Sequence, residues 1–474
     1  MMRKKIILVG SLLLIILGRF IPSSLTMSQM AVITTFAGVL VLWLFFGIDW
    51  PSLIGLAALC FIPELGTNAV LSASFGNNTF AFLLFTFLCT YALSKTSIIK
   101  RVALWFVNTK IAQKGPWPFS ILFFMSIIVT GLVISPTVLF MVYIPIIEEI
   151  YEVLGLKKGD KMASMLMMGL VFTCAISSGM TPIAHVFPLL AMGVYESVFG
   201  VAISYAEFMM VAIPVGLICT LLMILMFRFI YRPEMKEIKS LNKIEEKMPR
   251  NEKIILLIFG FVIIWWVIPG FMKNVLSEGA LLSLMTYLDS FTTALPPLVG
   301  AILLCLINVD DKPLLDLKEA LSKGVSWTSL IMCACTLAMS SALTNGSIGI
   351  TAVISETMSV LLSNISPLIF ILIITTWAGL QTNLSSNMVT STLVSSVCMA
   401  ILAENQIVSP MIMTILIGIL ASYAFATPPA MPSVSIAGSS GWTTPKNLMV
   451  YGFLLMMISI IISSFVGYPL GLWV

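Results

Sequence analysis

The chain alternates between long apolar runs and short polar or charged breaks. Runs of membrane-spanning length lie near residues 5–21, 29–48, 51–63, 77–94, 162–182, 205–230, 253–270, 289–309, 325–343, 409–427 and 446–470. A helix rises about 1.5 Å per residue, so about 20 apolar residues cross a bilayer core. Two further apolar stretches, about 116–154 and 366–403, are each interrupted in the middle by small hydroxyl residues. The first interruption reads Gly131-Leu132-Val133-Ile134-Ser135-Pro136-Thr137, and the second Thr382-Asn383-Leu384-Ser385-Ser386-Asn387-Met388. Further breaks follow at Thr181-Pro182-Ile183-Ala184-His185 and at Ala430-Met431-Pro432-Ser433.

Lysine and arginine placement orients these segments. Lys95, Lys100, Arg101, Lys110 and Lys114 precede the first interrupted stretch, and Lys157, Lys158 and Lys161 follow it. Basic loops stay in the cytoplasm, so the spacing predicts a re-entrant hairpin that enters and leaves on the inner side. The linkers Arg228–Lys253 and Lys312–Lys323 are basic too. Residues 345–366 and 403–408, which bracket the second stretch, contain no lysine or arginine, so that hairpin enters from outside. The prediction is an all-α polytopic protein of about eleven transmembrane helices plus two re-entrant hairpins in an inverted repeat. Residues 1–232 form the first repeat, 233–252 a cytoplasmic linker, and 253–474 the second repeat. The N-terminus lies inside and the C-terminus outside. Residues 96–114 and 346–364 are expected to be interfacial arm helices.

Composition removes the other broad classes. Hydrophobic residues make up 59% of the 474, charged residues 10%, and mean hydropathy is +1.07. A soluble surface built from that chain would be mostly apolar. The net charge of +4 comes from basic residues at run ends, not from a stripe with interleaved aromatics, so nucleic acid is not an expected partner. The eight cysteines sit in apolar runs, where thiols behave as small hydrophobes. The basic start, Arg3-Lys4-Lys5, precedes an apolar run without a small-residue cleavage site and is expected to be a retained span.

Backbone freed from helical bonding inside a membrane is tolerated where it is buried in protein or lines a cavity, so the breaks mark a binding site. A half-helix beginning at Ser386-Asn387 would aim its free N–H groups and positive end at an oxyanion such as a carboxylate. The half-helix ending before it offers carbonyls suited to Na⁺, and Thr382 lies one turn back with a hydroxyl. Ser135-Pro136 is likewise a good helix start. Glycine at 131 and proline at 136 make this tip the poorer cation cage. His185 is the single histidine. An intramembrane ionisable group points to function, and imidazole, with a reference pKa near 6.5, could carry charge to an anion or exchange a proton. No nucleophile–base pair, deep carboxylate pair or metal motif supports an enzyme. Half-helices meeting from opposite sides suit an occluding site better than a channel.

These features resemble the divalent anion/sodium symporter family, within the ion transporter superfamily. The likeness is clearest from Ala421-Ser422-Tyr423-Ala424-Phe425 to Ser440-Gly441 and around Ser386-Asn387. The resemblance implies secondary transport of small di- or tricarboxylates or inorganic anions by an elevator-type homodimer in the plasma membrane. No cofactor is expected beyond Na⁺ as coupling ion, with H⁺ as a second candidate and cation-independent anion exchange as the alternative. By the same resemblance, a Na⁺ site falls on Thr382, Ser386, Asn387 and Ala430, all intact. A weaker one falls on Gly131, Ser135 and Ala184, with Pro136 in place of asparagine. The substrate positions fall on Ser135, Thr137, His185, Asn387, Met388, Met431 and Pro432. Of the threonines expected there, Thr137 is retained, while methionine stands at 388 and 431 and histidine at 185.

Overall fold

The computed structural model describes residues 2–183, 185–236, 248–276, 278–343, 345–350, 353, 365–384, 386–427 and 430–474. Its helices are α1 (Met2–Leu17), α2 (Met27–Phe46), α3 (Trp50–Cys60), α4 (Thr67–Ser74), α5 (Asn78–Ser94), α6 (Ile98–Val107), α7 (Pro116–Gly131), α8 (Pro136–Val153), α9 (Lys161–Met180) and α10 (Val186–Phe199). There follow α11 (Tyr205–Met226), α12 (Arg250–Val275), α13 (Ala280–Asp289), α14 (Leu295–Leu306), α15 (Trp327–Leu343), α16 (Pro367–Leu384), α17 (Asn387–Glu404), α18 (Pro410–Ser422), α19 (Pro432–Ser439) and α20 (Pro445–Ile462). Among the described residues, seven helices are long and apolar enough to cross a membrane, or eight if one bent pair counts as a single span. Six shorter apolar helices of 10–17 residues accompany them.

Local chemistry sets the ends of these helices. Proline begins α7, α8, α16, α18, α19 and α20, where its missing N–H has no intrahelical partner to lose. Thr26 with Gln29 and Ser204 with Glu207 form capping boxes at α2 and α11, each satisfying two otherwise free backbone donors. Both interrupted stretches break where the sequence predicts. The first splits into α7 and α8, the second into α16 and α17. Residues 98–107 of the first expected arm are helical. Most of the second arm, 346–364, and the middle of the 233–252 linker lie outside the described residues.

Two helices occupy the centre. Every residue of α9 from Met162 to Met180 is buried, as is all of α18 from Ile412 to Ser422. A helix apolar on all sides is stable only when protein or lipid surrounds it, and these two are surrounded by protein. Hairpin helices α7 and α8 pack on α9, and α16 and α17 pack on α18. Helices α1 to α5 and α12 to α15 form a second group, joined to the first through contacts of α10 with α15 and of α11 with α12. Helix α11 and helix α20 each run on into a π-helical turn, Phe227–Tyr231 and Ser463–Gly467. The two halves therefore match in their exits as well as in their breaks.

Candidate functional site

At the first tip, the break after α9 wraps the end of α7. Thr181 and His185 both have extended backbone (φ −141°, ψ 150° and φ −120°, ψ 116°), which takes them out of the helical ladder. Thr181 Oγ1 donates to the Leu132 carbonyl at 2.6 Å. His185 Nε2 lies 2.8 Å from the Gly131 carbonyl oxygen, and a carbonyl only accepts, so the ring nitrogen carries the proton. Two carbonyls that end α7 are thus capped by protein groups. The ring is 1% exposed, and its Nδ1 is buried without a partner. Gly131 is forced by packing: a Cβ there would stand 2.1 Å from Ser177 Oγ. Ser135 precedes α8 without a side-chain capping bond and is half-buried, while Thr137 is exposed. Ala184 lies outside the described residues.

The second tip is knotted to its own break more extensively. Asn383 Nδ2 donates to the carbonyls of Gly379 at 3.0 Å and Tyr423 at 2.9 Å. Its Oδ1 accepts from the backbone N–H of Phe425 at 2.8 Å and Ala426 at 3.0 Å. All four hydrogen-bonding positions of that amide are therefore filled. Thr427 Oγ1 donates to the Asn383 carbonyl, and Thr382 Oγ1 donates to the Ala421 carbonyl at 2.8 Å. Thr427 on Asn383 and Thr181 on Leu132 are the same bond made in both halves: a Thr-Pro threonine caps the last turn of a hairpin arm. The Thr-Pro recurrence signals this in the sequence. The staple by Asn383 does not show there, because three of its four partners lie 40 to 43 residues away.

Asn387 behaves differently from Asn383. It opens α17 and is 3% exposed, yet neither its Oδ1 nor its Nδ2 has a hydrogen-bond partner. Leaving a buried donor or acceptor unmet costs about 1–3 kcal/mol each, and buried polar groups in folded proteins are overwhelmingly paired. Such an orphaned amide at a helix start marks a place for a ligand. Of the other residues expected at this site, Thr382 (0%), Met388 (8%), Ala430 (8%) and Met431 (3%) are buried. Ser386 is half-buried and makes no side-chain cap. The Thr382 hydroxyl donates to Ala421 and keeps lone pairs for a cation. Ser433 Oγ, at the second residue of α19, is also buried without a partner.

The two tips are interleaved rather than merely adjacent. Helix α10, which starts at the first break, packs along α17 and α18, and Ser391 Oγ donates to the Phe187 carbonyl at 2.6 Å. Helix α19, which starts at the second break, packs against α8 and α9. Each half thus lends the helix after its break to the other half's hairpin. The chains cross closely where α9 ends, since a Cβ on Gly179 would stand 2.6 Å from the Tyr423 ring. Among the described residues, no side chain of 131–137 hydrogen-bonds one of 382–388. Thr137 on α8 and Pro432 on α19 are exposed on helices that touch, so they face open space while the second-tip residues are closed in.

A helical membrane bundle with two broken hairpins around buried, ligand-ready polar groups defines the class: a membrane transporter, not an enzyme. The chain belongs to the citrate transporter family, which matches residues 38–418. It is similar to the sodium-dependent dicarboxylate transporter SdcS of Staphylococcus saprophyticus, 26% identical over 422 residues that cover 84% of this chain and 77% of that protein. The protein of the same name from Staphylococcus aureus is 24% identical over 426 residues, covering 85% and 78%. Among solved structures, the Alcanivorax borkumensis YdaH transporter shares the fold, with a TM-score of 0.57, 11% identity, and coverage of 85% of this chain and 87% of that one.

Proposed function

We propose that this protein is a secondary active transporter of small di- or tricarboxylates, driven by Na⁺ bound at the second tip. The orphaned amide of Asn387 carries the reading. Its Oδ1, with the Thr382 hydroxyl, Ser386 and the Ala430 carbonyl, supplies the hard oxygen donors that Na⁺ takes. In this reading the N–H groups that open α17 receive a substrate carboxylate. The names of the staphylococcal relatives and of the family fit both ligands.

The first tip supports a single coupling cation. Its two end carbonyls are already capped by Thr181 and His185, and proline at 136 offers no side-chain oxygen. In this reading His185 holds the first hairpin closed, a task a cation would otherwise perform, and keeps Nδ1 free of protein partners.

The repeats run 1–232 and 253–474 around the 233–252 linker, with opposed re-entrant hairpins. Each hairpin arm has 16 to 18 residues and is about 24–27 Å long, near the ~30 Å hydrocarbon core. Arm length is therefore compatible with hairpins and with full spans, and it is the lysines at both ends of the first stretch that favour hairpins. A homodimer supplies the fixed frame for elevator movement, with the N-terminus inside and the C-terminus outside. The test is uptake of radiolabelled citrate and succinate into proteoliposomes, with Na⁺ against choline outside. Equal uptake in both cations would refute Na⁺ coupling, and no uptake of either acid would refute the substrate class.

A further inference from the structure

At some distance from the tips, a cavity of about 290 Å³ opens where α10 turns into α11, against α12 and the 288–293 loop. Glu196, Tyr205, Trp265, Trp266, Ser290 and Phe291 are among the residues around it. Its floor is preformed: Asn78 Nδ2 donates to Thr293 Oγ1 at 3.0 Å, and Trp266 Nε1 donates to the Thr293 carbonyl at 3.0 Å. Other groups are left over. The Trp265 indole N–H is buried with no acceptor. The Tyr205 hydroxyl faces Thr293 without completing a hydrogen bond, on a residue only 2% exposed. Among the described residues, no lysine or arginine pairs with Glu196.

A second hollow of about 280 Å³ adjoins this one and shares Trp265 and Leu288 with it. Its other walls are Phe261, Ile264, Ile268, Pro269 and Met285, all apolar. Trp265 stands between the two, edge-on to Phe261 on one side (5.5 Å) and to Phe291 on the other (6.2 Å). It lies 15 residues into α12, about 22 Å from the Arg250 end, and lines the cavity together with Tyr205 at the start of α11 and Thr292 and Thr293 just before α14, helix ends on the side away from the basic linker. Trp and Tyr gather at membrane interfaces.

The paired hollows ask for an amphiphile. A carboxylate among aromatic faces selects an ammonium group, and free indole and phenol donors select a phosphate oxygen. The apolar hollow takes an acyl chain. We propose that this is a binding site for one diacyl phospholipid with a primary-amine headgroup, of the phosphatidylethanolamine type. Its ammonium sits on Glu196, its phosphate on Trp265 and Tyr205, and a chain lies along α12 and α13. The cavity lies on the seam where α10 and α11 of the hairpin group meet α5, α12 and α14 of the other group, so the bound lipid touches both. An anionic phosphatidylglycerol lacks the ammonium and would face Glu196 unpaired. A quaternary choline headgroup cannot donate hydrogen bonds to the carboxylate.

The test is native mass spectrometry of the full chain after detergent exchange, with dioleoyl phosphatidylethanolamine, phosphatidylglycerol and phosphatidylcholine offered at equal concentration. One phosphatidylethanolamine should be retained per chain with about a tenfold preference, the factor expected for one charge-assisted pair. Glu196→Gln should erase the preference, and Trp265→Phe, which keeps an aromatic face but loses the indole N–H, should weaken retention of all three lipids. Soluble glycerophosphoethanolamine should fail to compete, because it has no chain for the apolar hollow. Equal retention of the three lipids, a preference that survives Glu196→Gln, or competition by the soluble headgroup would each overturn the proposal. None of these readouts depends on the transported substrate, so they stand apart from the test of transport.

Discussion

Replacing Asn387 by alanine separates a structural amide from a ligand-binding one. Oδ1 and Nδ2 of Asn387 are buried without protein partners, so the side chain contributes no intramolecular hydrogen bonds to lose. Truncation removes two unmet polar groups, a gain of about 1–3 kcal/mol each at most. Against that stands the cost of a small cavity, about 1 kcal/mol. Without Na⁺, Asn387→Ala should therefore melt within a few degrees of the native protein or slightly above it. Sodium changes the comparison. A cation at a hundred times its Kd stabilises the state that binds it by about 2.7 kcal/mol, and that increment should vanish in the variant. The assay is a thermal melt in detergent with NaCl against choline chloride at constant ionic strength. A Na⁺-dependent increment that persists in Asn387→Ala refutes the second-tip cation site. A variant destabilised by several kcal/mol in both salts shows that Asn387 has partners the reasoning denies it.

Ser135→Ala at the first tip should leave the sodium increment intact in the same melts. It is a cleaner control than Gly131→Ala, whose methyl would be driven to 2.1 Å from Ser177 Oγ. Asn383→Leu strands the Phe425 and Ala426 N–H groups and the Tyr423 carbonyl, and should lower stability by at least about 3 kcal/mol, read from the melting temperature or from lost expression. Thr181→Val frees the half-buried Leu132 carbonyl and should cost about 1 kcal/mol in the same assay. At the Lys95–Glu319 contact (2.7 Å), the lysines hold the Glu319 carboxyl down to about 2. A depressed carboxyl stabilises above its unfolded pKa near 4.3 and loses that contribution as pH falls toward 2. Glu319→Gln should therefore make the melting temperature less sensitive to pH between about 4.3 and 2, and an unchanged acid profile would refute the pairing.

Much of this protein was determined by local sequence. Apolar run length and the prolines that open helices place α7, α8 and α16 almost to the residue, and the Ser386-Asn387 break places α17, because burial in lipid and a missing N–H are local properties of the chain. The family, too, was legible at Ser386-Asn387 and across residues 421–441. Short helices such as α4, α13 and α19 were not, since runs of 8 to 10 residues carry too little periodicity and hold their shape by packing. The difference between two asparagines four residues apart belongs wholly to tertiary structure. Asn383 and Asn387 are chemically identical, and both are buried. The first is saturated by one carbonyl a turn back on its own helix and by three backbone groups that only the fold brings within 3.0 Å, and the second is left open by the same arrangement. The sequence likewise marks His185 as an unusual residue in a break, while its bond to the Gly131 carbonyl depends on a chain crossing that no local pattern encodes. Hydrogen-bond satisfaction is a property of where distant backbone ends up, so which polar residues hold the fold and which await a ligand was decided only in three dimensions.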